Sequence, residues 1–341
     1  MNTTLNARIR SLLFLFPATL CLWATFTHAA GFSTIEIPAD AQGPALRAAV
    51  WTPCAAPAGE IALDRFTLPG VRDCPVQGDR LPLVVVSHGY GGSFLGHRDT
   101  AQALADAGFV VAAVTHSGDN YQLRGSANDS LSALATRTTD IKRLIDYMLG
   151  QWPAHARLSV ERIGFFGFSR GGYTGLVLAG GIPEFERLPI PPSSPCAAAP
   201  EGDACAHVRR GFRQLLATPL THDRRIRAAV IADPLSMVFD ARGLRDVTIP
   251  IQLWSSAFGG DGVTPESVLA VRRNLPSAPD WRLAENAAHF GFLAPCPAAQ
   301  IASQPEICRD PVGFDRVAFH ASFNAQVLAF FSQQLAPTST P

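Results

Sequence analysis

The distribution of apolar positions along the chain alternates between two periods. Leu83-Val84-Val85-Val86 is a continuous apolar, β-branched run, as expected of a strand buried on both faces. Phe109 to Val114, Ile163 to Phe166, Arg227 to Ala232 and Ile249 to Trp254 read as further strands of this kind. Ala48-Ala49-Val50-Trp51 predicts an early strand, and 281–284 a short late one. Between them lie stretches with helical spacing. Residues 131–149 place Leu134, Ile141, Leu144, Ile145 and Met148 on one side of a helix. Helices are also predicted over 98–107, closed by Gly108, and over 170–179, 265–274 and 315–335. Strand and helix in alternation predict an α/β fold with a mostly parallel central sheet and helices on both faces. No internal repeat interrupts the pattern.

Three segments break the rhythm. Residues 55–80 are rich in Pro, Gly and Asp and read as a long loop. Residues 182–225 hold seven prolines and little apolar periodicity beyond a short helical stretch near 207–217. A connection this long in a compact domain is usually functional, and it leaves the helix that starts after Ser169. It is expected to form a semi-rigid cap over that residue. At the start, Arg8 and Arg10 precede an apolar run from Leu12 to Phe26, followed by Thr27-His28-Ala29-Ala30. This is the layout of a secretory signal peptide over residues 1–30, cleaved after Ala29 or Ala30. Residues 31–341 then form one domain. No later run is long enough to span a bilayer.

Composition agrees with a folded, exported chain. Of 341 residues, 47% are hydrophobic, and 28 basic residues balance 28 acidic ones. Disorder is excluded by the hydrophobic content, and the absence of a basic field argues against nucleic-acid binding. Beyond Cys21 in the leader there are six cysteines, an even number in an exported chain. They fall into sequence neighbours, which predicts Cys54–Cys74, Cys196–Cys205 and Cys296–Cys308. Neither a Cys-x-x-Cys pair nor a His-Glu-x-x-His pattern is present, so neither a metal nor a cofactor is expected.

The chemistry starts at Gly167-Phe168-Ser169-Arg170-Gly171. The pattern Gly-x-Ser-x-Gly lies between a predicted strand and a predicted helix, where a tight turn exposes the serine hydroxyl. A serine needs a base to take its proton. His289, in the small-residue loop Asn286-Ala287-Ala288-His289, is the candidate, and Ser, acid, His is the chain order of such hydrolases. Two aspartates could orient it. Asp261 follows the strand 249–254 and precedes a helix, and it is favoured; Asp233 follows the strand 227–232 and is the alternative. Backbone N–H groups of Arg170 and of Tyr90, in His88-Gly89-Tyr90-Gly91-Gly92, are the expected donors to a tetrahedral oxyanion. His88 and His116 end strands and are expected to line the substrate pocket. His97, His155, His207, His222 and His320 are assigned surface or capping roles.

These motifs resemble those of α/β-hydrolases of the "predicted dienelactone hydrolase" group. They are also similar to platelet-activating-factor acetylhydrolases and cutinase-like polyester hydrolases. The residues that carry the likeness are His88–Gly92, Val114–Asp119, Gly167–Gly172, Ala232-Asp233-Pro234 and His289–Cys296. The acetylhydrolase pattern implies Asp233 as the acid, and the cutinase-like pattern implies Asp261. Dienelactone hydrolases proper use a cysteine nucleophile, whereas the elbow here carries Ser169. Taken with the motifs, the expectation is an exported (secreted or periplasmic), monomeric serine hydrolase acting on small or polymeric carboxylic esters. The competing expectations are an exported peptidase or amidase, and a non-catalytic binding protein on the same scaffold.

Overall fold

The computed structural model describes residues 29–63, 66–123, 131–187, 194–217 and 220–337. The leader assignment therefore lies outside the described residues up to position 28. Among the described residues the strands β1 (Ala29–Ile37), β2 (Leu46–Cys54), β3 (Gly59–Leu63), β4 (Phe66–Arg72), β5 (Leu81–Ser87), β6 (Val110–Thr115), β7 (Leu158–Phe168), β8 (Ile226–Ala232), β9 (Ile251–Ser256) and β10 (Asp280–Ala284) form one sheet, in the order β10-β9-β8-β7-β5-β6-β2-β1-β4-β3. From β6 to β10 all neighbours run parallel; β2 is antiparallel to both β6 and β1.

The central strands are covered on both sides, as their unbroken apolar runs require. Successive side chains alternate between faces: Leu83 and Val85 join one core, Val84 and Val86 the other. On the first face pack α2 (Leu131–Gly150), α3 (Arg170–Leu178) and α5 (Pro265–Asn274), through Ile141, Leu144, Tyr173, Leu176 and Val268. On the second lie α1 (Arg98–Asp106) and α6 (Arg316–Gln334), through Leu104, Phe323, Val327 and Phe331.

Residues 55–80 are not a plain loop. They carry the antiparallel pair β3–β4, which extends the sheet beyond β1. Pro69 and Gly70 lie inside β4, ahead of Val71 and Arg72, the residues that pair with β1. All three predicted disulfides are present: Cys54–Cys74, Cys196–Cys205 and Cys296–Cys308. They suit an extracellular environment. No described helix is long and apolar enough to cross a membrane.

The segment 182–225 includes α4 (Asp203–Ala217), which packs on α2. Its described contacts run to the flank: Ile182 N–H donates to Gly243 O, Glu184 N–H to Val238 O, and Thr221 meets Thr139. Residues 188–193 and 218–219 lie outside the described residues.

Strand register brings the functional loops together. Ser87 pairs with Gly167, Phe168 with Ala232, Ala232 with Trp254, and Ser256 with Ala284. The turns after β5, β7, β8, β9 and β10 therefore start side by side at the carboxyl edge of the sheet, where open α/β sheets hold their ligands.

Candidate active site

Ser169 sits between β7 and α3 with φ 56° and ψ −118°, a conformation costly for a side-chain-bearing residue. Its surroundings hold it there. Ser169 N–H donates to Ala232 O, and its own carbonyl accepts from Leu235 and Tyr173 N–H. The motif glycines are required by space. A Cβ on Gly171 would lie 2.0 Å from Ser87 O, and one on Gly167 would lie 2.2 Å from Gly171 O. The strand, the elbow helix and the loop after β5 thus approach more closely than any side chain would permit.

His289 is buried, and its ring lies 4.6 Å from that of Phe168, the residue before the serine. Its Nδ1 is 2.7 Å from Oδ2 of Asp233. Asp233 is fully buried and accepts two further hydrogen bonds, from Ser256 N–H at 2.8 Å and Ser256 Oγ at 2.7 Å. A carboxylate accepting from three donors places the imidazole proton on Nδ1 and leaves the lone pair on Nε2. That Nε2 is buried and has no hydrogen-bond partner. A buried polar atom of this kind calls for an explanation, and a base held ready for a neighbouring hydroxyl supplies one.

The favoured acid is corrected by this geometry. Asp261 is exposed, with φ 49°, in a turn closed by reciprocal backbone bonds between Gly260 and Val263. Gly259-Gly260-Asp261-Gly262 is a turn sequence, and the aspartate supplies a left-handed position in it. The loop still serves His289: Gly259 O accepts from His289 N–H at 2.8 Å, and Phe258 N–H donates to Ala287 O. Ser256, which braces Asp233, carries no motif and was not singled out from the sequence.

His88 and His116, expected to line the substrate pocket, are both buried in a polar network under the 87–92 loop. His88 Nδ1 donates to Gly89 O at 2.6 Å, and its Nε2 accepts from His116 N–H at 3.1 Å. His116 bridges Ser87 Oγ at 2.8 Å and Asp140 at 3.2 Å. Burial holds both imidazoles well below their ordinary titration range, and it pushes the Asp140 carboxyl up to about 6. At the centre lies Arg137, fully buried, paired with Asp119 at 2.7 Å. Burial brings its guanidinium down to about 10, so it stays charged at neutral pH. The sequence does hold a signal for it: position 137 shares the helical face of Leu134, Ile141 and Leu144, so an arginine there had to be buried and partnered.

Tyr90 and Arg170, the expected oxyanion donors, follow Gly89 and Ser169 in the chain. Gly89 runs so close to the elbow that a Cβ on it would lie 3.2 Å from Ser169 Cβ. The Arg170 guanidinium lies 4.4 Å over the half-exposed Tyr90 ring and donates to Asp119 at 3.1 Å.

His97 and His320, assigned surface or capping roles, are buried, and His97 occupies the N-cap position of α1. His97 packs against Phe166 and Phe168. His320 joins the loop of His289 to α1: its Nδ1 is 2.6 Å from Asp99 and its Nε2 donates to Gly291 O at 2.9 Å.

This arrangement on a mostly parallel sheet decides the family of folds. The chain has the α/β-hydrolase fold. Comparison with known proteins agrees. Residues 57–138 match the family model described as platelet-activating factor acetylhydrolase, isoform II. No curated protein matches the chain. A ferulic acid esterase from Streptomyces cinnamoneus superposes with a TM-score of 0.60 at 18% identity, covering 94% of this chain and 93% of its own. A Klebsiella pneumoniae protein assigned as a dienelactone hydrolase superposes with a TM-score of 0.51 at 17% identity, covering 89% and 99%. These likenesses establish the α/β-hydrolase fold, and the family match supports a carboxylic ester hydrolase.

Proposed function

We propose that this α/β-hydrolase is an exported serine esterase that works as a monomer, through an acyl-enzyme on Ser169. The carrying observation is His289, buried, with Nδ1 held by Asp233 and Nε2 unpartnered beside the elbow. Ser169 Oγ attacks the ester carbonyl while His289 Nε2 takes its proton. The carbonyl oxygen becomes an oxyanion, received by the N–H groups of Tyr90 and Arg170 at the positive end of α3. When the intermediate collapses, the C–O bond breaks, and His289 returns the proton to the leaving alcohol. Water repeats the sequence: it loses a proton to His289, adds to the acyl carbon, and expels Ser169 Oγ, which regains the proton. Asp233 stays ionised throughout and stabilises the imidazolium. The site lies at the carboxyl edge of the sheet, and the proposed substrates are small or polymeric carboxylic esters.

The test is a panel of nitrophenyl esters from acetyl to palmitoyl, beside a polyester film and a peptide amide. The proposal expects turnover of the esters, abolished in Ser169→Ala, and amide cleavage slower by orders of magnitude. Amide turnover at a comparable rate would make the enzyme a peptidase or amidase. Absence of any turnover, with Ser169 inert to a fluorophosphonate, would leave a binding protein.

A further inference from the structure

The ion pair beneath the site has no part in proton transfer, yet it touches both halves of the proposed oxyanion hole. Arg137 comes from α2, Asp119 from the loop after β6, and both side chains are wholly buried. A buried pair is not an economical way to gain stability, because well-packed apolar residues do as well or better. Its contacts point to another role. On the loop side, Arg137 Nη2 donates to His88 O and to Ser87 Oγ, while Asp119 Oδ1 accepts from Gly91 N–H at 2.9 Å. The backbone is therefore gripped on both sides of Tyr90. On the elbow side, Arg137 Nε donates to Thr174 Oγ1 at 3.1 Å, and Thr174 Oγ1 donates to Arg170 O at 2.8 Å. Asp119 Oδ2 also accepts from the Arg170 side chain.

We propose that Arg137 and Asp119 are positioning residues that set the spacing between the Tyr90 and Arg170 N–H groups, and so preorganise the oxyanion hole. This rests on the esterase reading above. The two N–H groups come from different elements, the loop after β5 and the start of α3, and one guanidinium–carboxylate pair contacts both segments. Preorganised donors act where charge develops, so their displacement weakens transition-state binding more than substrate binding. Lysine cannot replace Arg137, because a point charge cannot direct separate donors to His88, Asp119 and Thr174.

The experiment measures kcat, KM and the affinity of a trifluoromethyl ketone, which adds to Ser169 as a tetrahedral oxyanion. Asp119→Asn is expected to lower kcat on the order of 10²-fold, the scale of losing one oxyanion donor, with KM within about twofold of wild type. Thr174→Val removes only the link to the elbow and keeps the side-chain shape. It is expected to lower kcat and ketone affinity by a common factor of roughly ten, with Thr174→Ser restoring both. The Thr174 pair decides the matter if Asp119→Asn does not fold. Folded Thr174→Val with wild-type kcat, or with the loss confined to KM or to melting temperature, would overturn the proposal. Ser169→Ala run alongside separates the two readings: full activity there removes the esterase reading itself, whereas an inactive Ser169→Ala beside a fully active Thr174→Val removes only the positioning role.

Discussion

At the scale of single residues, the proposed mechanism rests on three side chains from three loops, and what distinguishes each is its partner. Asp233 and Asp261 both follow strands and both hold left-handed backbone conformations. Only Asp233 is buried against His289 and supplied with two donors from Ser256. Replacing Asp233 with Asn would turn an acceptor into a donor at one position and favour the wrong imidazole tautomer. We expect Asp233→Asn to lower kcat on the order of 10⁴-fold, as in the worked serine-protease case, and Asp261→Asn to stay within about threefold of wild type. Steady-state kinetics on one nitrophenyl ester would check the ranking; equal losses would show that the Asp261 turn matters as much as the acid. The sequence could not separate the two aspartates, because chain order and strand ends place both at the same sheet edge. What separates them is Ser256, a residue with no motif. Arg137 was not singled out from the sequence, although its helical phase beside Leu134, Ile141 and Leu144 marks it as buried; Ser169 and His289 were singled out by the elbow and the chain order.

At the scale of elements, the buried strands were legible and the edge strands were not. Leu83–Val86 in β5, Val110–Val114 in β6, Ile163–Phe166 in β7 and Ala228–Ala232 in β8 are continuous apolar runs, and as strands of the sheet they satisfy their backbone groups. β3 and β4 contain Gly59, Pro69 and Gly70, so their local signals are those of a loop, and only their pairing with each other and that of β4 with β1 makes them strands. β1 begins in the small residues that also suit a cleavage site. The 289–296 loop shows how elements hold one another. His320 on α6 donates to Gly291 O and meets Asp99 on α1, which Asn324 also contacts; Arg98 donates to Pro295 O and Ala294 N–H to Gly96 O. Burial opposes the Asp99 charge, but His320 and Asn324 outweigh it and bring the carboxyl from 3.8 down to about 2. A depressed carboxyl stabilises the native state above its unfolded value and loses that contribution as pH falls from about 4 to about 2. A shift of this size is worth about 2 kcal/mol. Denaturant unfolding at pH 5 and at pH 2 is expected to show wild type losing about that much more than Asp99→Asn. Parallel losses would mean that the Asp99 contacts do not outweigh its burial.

At the scale of the whole molecule, the three disulfides clamp regions outside the central sheet. Cys54–Cys74 ties the end of β2 to the stretch after β4, Cys196–Cys205 closes the proline-rich segment, and Cys296–Cys308 closes the stretch following His289. Each spans a short loop, so chain entropy assigns it roughly 3 kcal/mol. Their positions give them different functional weights. Replacing Cys296 and Cys308 together by Ser is expected to lower both melting temperature and kcat, because the adjoining loop carries the base. Replacing Cys196 and Cys205 is expected to lower melting temperature alone for a short acyl ester. Equal kinetic effects would show that the 182–225 segment reaches the reacting centre.

The central claim is that Ser169 is a nucleophile activated by the His289–Asp233 pair. Its most direct measurement is intact-mass and peptide analysis after treatment with a fluorophosphonate, on wild type, Ser169→Ala and His289→Ala. The account predicts one adduct per chain, located on Ser169, formed rapidly in wild type, absent from Ser169→Ala, and slowed by orders of magnitude in His289→Ala. An adduct on another residue, or a Ser169 labelled as fast without His289 as with it, would contradict it.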